Sequence, residues 1–135
     1  MSTASAIGMT MADGSVKAIR CNWNGYPGNV GLILLESYHE PDKVAALLAL
    51  GEISILGSML APESGQYHTF RCPASDVVVA YHRDRGEPLQ PPVVFKDAED
   101  FTTNGQSEMG VDYLYLFAEG KWLLGGYKDL SNYVN

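Results

Sequence analysis

The chain has 135 residues, 46% apolar and 19% charged, which fits one compact domain with a real core and argues against general disorder. Sixteen acidic against nine basic residues give a net charge of −7, the wrong sign for gripping a nucleic-acid polymer, whereas a small anion needs only a local positive field. The longest apolar runs, VGLILL and VVVAY, are far shorter than the ~18 residues that span a bilayer, so no membrane partner is expected. MSTASAIGMTM lacks a charged segment before a long apolar one, so no secretory signal is expected and the cytoplasm is the expected location.

SAIGMTM and VKAIRCNW alternate loosely around the turn ADGS and predict a hairpin. NGYPGN then breaks the chain, with Asn29 placed to cap a helix from Val30 to about Tyr38. Pro41 fits the first position of a second helix and Asp42 complements its positive end. Val44, Leu47 and Leu48 supply the apolar stripe, and Gly51 the stop. ISILGSML reads as a short strand and APESGQYHTFRCPAS as a polar surface loop. DVVVAYHRD and VVFKD, separated by GEPLQPP, predict an antiparallel pair. DAEDF suggests one helical turn, TTNGQSEMG a loop, and VDYLYLFAEGKWLLGGY two strands around AEGK.

This order predicts a single α+β domain over residues 1–135, an antiparallel sheet with two central helices packed on one face. The other face is expected to be open, with Tyr113 and Tyr115 offering an aromatic surface.

Two stretches carry candidate chemistry. YHRDRGE contains the triplet of a kinase catalytic loop, but Leu89 stands where the metal-holding Asn is required, and no glycine-rich loop precedes it. If the strand persists, Tyr81, Arg83 and Arg85 share one side, the arginines forking onto a phosphate and Tyr81 stacking on a flat ring; a solvated loop neutralised by Asp84 and Glu87 is the bland alternative. In CNWNGYPGN, Asn22 can bond base edges or ribose hydroxyls while Trp23 and Tyr26 offer ring faces; a tight strand-to-helix turn with Trp23 in the core is its alternative. The histidines are scattered and no CxxC or HxxxH spacing supports a metal, so neither metal nor cofactor is expected. A Ser-His-Asp set lacks both a G-x-S-x-G elbow and an oxyanion-hole motif, and no catalytic residue is assigned. Cys21 and Cys72 are expected as buried thiols.

RCNWNGYPGNVGLILLESYHEPDKVAALLALGEISILG, followed by VVVAYHRDRGE and YLYLFAEGKWLL, resembles the Thoeris anti-defence 1 family of small phage proteins, whose members read CHWDGYPxxxGxxLLExY and later YHRDRGE. The likeness covers about residues 16 to 127. It implies a non-enzymatic sponge that holds cyclic ADP-ribose isomers made by bacterial TIR-domain proteins, so that the host effector is never activated. It also implies a homo-oligomer with pockets near subunit interfaces and, in some members, a separate cyclic trinucleotide site. Asn22 and Asn24 replace the family's His and Asp, and Ala61 to Ser75 has no match in the pattern. Two rival expectations stand beside it: a module that blocks a partner protein through its acidic surface and aromatic face, and an enzyme that cleaves the signal.

Overall fold

The hairpin forms as its alternation requires: β1 (Ser5–Thr10) pairs antiparallel with β2 (Val16–Cys21), the Asp13 side chain holding the turn by accepting from the Ser15 N–H at 3.0 Å. The computed structural model describes residues 3–134, so Met1, Ser2 and Asn135 lie outside the described residues. Further along are α1 (Leu32–Ser37), α2 (Pro41–Ala49), β3 (Ile53–Ile55), β4 (Val79–Ala80), α3 (Tyr81–Arg85), β5 (Val93–Phe95), α4 (Ala98–Met109), β6 (Tyr113–Ala118), β7 (Lys121–Leu124) and β8 (Lys128–Asp129). One sheet runs in the order β4-β3-β2-β1-β6-β7-β8, with β5 also on β2. Its pairs are mostly antiparallel, with parallel contacts between β1 and β6 and between β2 and β3. The α+β class is therefore as expected.

Strand alternation divides the core in two. Ile7, Ile19, Cys21, Tyr115 and Phe117 pack under α1 and α2 with Leu34, Val44 and Leu47. Ala6, Val16, Ala18, Leu114 and Leu116 face the opposite way, against Phe101 and Met109 of α4. The sheet thus has helices on both faces, and the expected open aromatic face does not exist: Tyr115 is fully buried and its hydroxyl donates to the Gly25 carbonyl at 2.7 Å.

The correction comes from α4, which unites DAEDF and most of TTNGQSEMG into one helix. Its Thr, Asn and Gly content is poor in helix propensity, but Asp97 caps it by accepting from the Asp100 N–H at 2.8 Å, and Phe101, Gly105 and Met109 recur at every fourth position on the buried face. Tertiary burial overrides propensity here.

Three other expectations change. The chain turns into helix at Pro27, through a π-type turn, and Asn29 lies inside that turn without capping it. Gly25 packs so tightly on the first strand that a Cβ there would sit 2.8 Å from that of Ser5. β4 and β5 do not pair with each other; β4 joins β3, and β5 joins β2. Cys21 is buried as expected, whereas Cys72 is exposed.

Candidate functional site

The VVVAY run ends its strand at Ala80 because the next residues close a helical turn. Asp84 accepts the Ala80 N–H at 2.8 Å, and Gly86, at φ 74°, supplies the left-handed stop. YHRDR is therefore α3 and not the end of a strand, so Tyr81, Arg83 and Arg85 do not share one side by alternation. Helical spacing pairs Tyr81 with Arg85 instead.

Phe70, from the long loop before β4, packs against both. Its ring centroid lies 5.4 Å from that of Tyr81, and the Arg85 guanidinium carbon lies 5.0 Å from the Phe70 centroid, within cation–π range.

Arg83 has a different task. Its guanidinium donates to both Asp84 oxygens, at 2.8 and 3.0 Å, to the Val78 carbonyl at 2.6 Å and to the Leu60 carbonyl. Every fork position is committed inside the protein, so no fork is left for a phosphate. Asp84 is the hub of this network, since His68 Nε2 also lies 3.3 Å from its Oδ2, with both side chains nearly buried. His68 Nδ1 accepts the Ala74 N–H at 2.9 Å, which leaves the proton on the nitrogen that faces Asp84. Burial pushes the Asp84 carboxyl up, but hydrogen bonds from Arg83, the Ala80 N–H and His68 outweigh it and hold the group below its usual value. This clasp ties the loop to α3.

The loop and α3 enclose an open cleft of about 870 Å³ lined by Tyr67, Thr69, Phe70, Arg71, Cys72, Asp84 and Arg85. Two arginines and two aromatic rings converge there on a protein of net charge −7. Arg85 also contacts the Glu87 carboxylate at 3.0 Å, but both side chains are about half exposed, and such a pair is weak enough for a ligand anion to displace. The arrangement suits a flat ring bearing an anion.

Of the sequence candidates, only Arg85 lines this cleft. Tyr81 lies behind it, packed on Phe70, and its hydroxyl accepts from Asn22 Nδ2 at 2.9 Å, so the structure joins two candidates across the β2 end. Asn22 also donates to Glu52 at 2.7 Å. Trp23 and Tyr26 are exposed, at 47% and 45%, and line a different part of the surface. Tyr67, Phe70 and Arg71 were hidden in a segment that reads as surface loop. Their only sequence signal is two rings and an arginine within five residues of an otherwise polar stretch.

His82 Nδ1 faces the Glu87 carbonyl at 2.7 Å, away from Asp84, so the HRD triplet does not assemble a His-Asp pair; Asp84 pairs with His68 instead. Among the described residues no three His, Cys, Asp or Glu side chains gather as a metal site, and no helix is long and apolar enough to cross a membrane. Comparison with protein-family models, curated proteins and solved structures gave no match.

Proposed function

We propose that the protein captures a small cyclic nucleotide signal, a cyclic ADP-ribose isomer, and holds it without cleaving it, so that a host Thoeris defence in the cytoplasm is not triggered. The observation that carries this reading is the joint placement of Arg71, Arg85, Phe70 and Tyr67 around one cleft. The adenine stacks on an exposed ring, and the arginines meet the pyrophosphate. Sequestration acts by mass action and needs tight binding and abundance, not turnover. Trp23 and Tyr26 lie outside the cleft and are available to a second copy in a homo-oligomer. The rival reading, blockade of a partner protein through the acidic surface and an aromatic face, keeps the acidic surface but loses the aromatic face because Tyr115 is interior.

The test is to mix the protein with a TIR-derived cyclic ADP-ribose isomer, remove the protein by filtration, heat the retained fraction and analyse it by mass spectrometry. Ligand depleted from the filtrate and recovered intact supports the reading; ligand left in the filtrate refutes it, and an altered product replaces it with an enzyme. Arg85→Ala is expected to weaken capture by about 1.5 to 3 kcal/mol in calorimetry while lowering the folding free energy by only about 1 kcal/mol, for its exposed contacts with Phe70 and Glu87. Unchanged affinity in both Arg85→Ala and Arg71→Ala removes the cleft from the site.

A further inference from the structure

Away from that cleft, the sheet is interrupted. β2 pairs with β5 from Val16 to Ala18 and with β3 at Cys21, which leaves Ile19 and Arg20 without a strand on that side. A cavity of about 220 Å³ occupies the interruption, walled by Ile19 and Val93 and edged by Arg20, Glu52, Gln90 and Glu108.

Its charges form no ion pair among the described residues. Among the described residues Arg20 donates once, from Nη1 to the Met109 carbonyl at 3.2 Å, and its buried Nε has no hydrogen-bond partner. A buried donor without an acceptor is costly, and more so when the group is charged. Two carboxylates edge the same cavity, yet none of the ion pairs among the described residues joins either of them to Arg20. Glu52 is oriented by the Asn22 amide at 2.7 Å, and Glu108 belongs to the last turn of α4. One unpaired cation and two unpaired anions thus face one small space.

We propose that this cavity binds a free α-amino acid with a short side chain. Its carboxylate pairs with the Arg20 guanidinium, and its ammonium sits between Glu52 and Glu108. A simple carboxylate would bring a third anion up to the two glutamates, and a simple amine would leave Nε unpaired. A chain terminus carries only one of the two charges. At the ~30 Å³ that each water occupies in the liquid, the space holds roughly seven heavy atoms, enough for alanine or serine. Val93 and Met109 suit a methyl side chain.

The experiment is a titration of the intact protein with L-alanine, propionate and ethylammonium, following the Arg20 Nε–H resonance and the Ile19 and Val93 amides by nuclear magnetic resonance. L-alanine is expected to move all three saturably, with propionate and ethylammonium at least about tenfold weaker, and Glu108→Gln to weaken L-alanine by about tenfold. An Nε–H resonance that L-alanine leaves in place overturns the proposal. So does an equal response to propionate, which marks a general anion site, or an unchanged affinity in Glu108→Gln. None of these outcomes bears on the Arg85 cleft, which shares no lining residue with this cavity.

Discussion

The centre of the sheet and the segment from Leu60 to Glu87 are held by different forces. Around β1, β2 and β6, alternate side chains disappear under helices on both faces, so stability comes from apolar burial and close packing. From Leu60 to Glu87 there is little regular structure, and one polar hub, Asp84 with Arg83 and His68, fixes the loop on α3. A packed sheet tolerates little change of shape, whereas a loop tied by a few hydrogen bonds can present polar and aromatic groups outward. The candidate ligand cleft belongs to the second kind of region.

The largest effect should come from the packed side. Phe101 is fully buried, edge-on to Phe95 at 5.3 Å, and rests over Gly8. Phe101→Ala is expected to cost about 3 to 5 kcal/mol in urea unfolding, with protection from hydrogen exchange falling throughout the sheet. A loss confined to α4 would break the comparison.

Asp84→Asn should act more weakly and locally, at about 1.5 to 3 kcal/mol, because a charged acceptor is lost from the Arg83 network. Hydrogen exchange should accelerate between Leu60 and Arg85 before the sheet responds. The pH dependence follows from the lowered folded pKa. The contribution of Asp84 is complete above the unfolded value of 3.8 and is lost as pH falls below it through the folded value. In the Asn variant the loss of stability below about pH 4 should be shallower; an unchanged acid limb would remove Asp84 from the account.

The smallest perturbation is chemical. Cys72 is exposed on the loop, while burial pushes the Cys21 thiol up to about 12. An aromatic disulfide reagent should titrate one thiol in the folded protein and the second only on unfolding. Two thiols reacting at once would mean that the β2 end opens as readily as the loop.

Much of the frame was legible because its signals are local. Asp13-Gly14 and Glu119-Gly120 mark the two hairpins, the latter pair with positive φ at both residues. Pro41 and the Val44, Leu47, Leu48 stripe mark α2. The candidate site was less legible. Arg85 stood out by type, but Arg83 looked equally suitable and is bound to carbonyls and to Asp84, while Tyr67, Phe70 and Arg71 lay in a stretch without periodicity. α4 was missed because its residues favour helix only when one face is buried.

The sequence by itself determined the α+β class, the paired strands at either end and the two-sided alternation of β1, β2 and β6, since each depends on residues within a few positions of one another. Only the tertiary structure decided that YHRDR is a helical turn and that the sheet is covered twice. It also decided that Phe70 meets Arg85 and that Arg20 is left facing a gap. Those outcomes rest on contacts such as Arg83 with Leu60, 23 residues away, and Arg20 with Met109, 89 away. No local pattern encodes such pairings, because their energy appears only when distant segments have already packed.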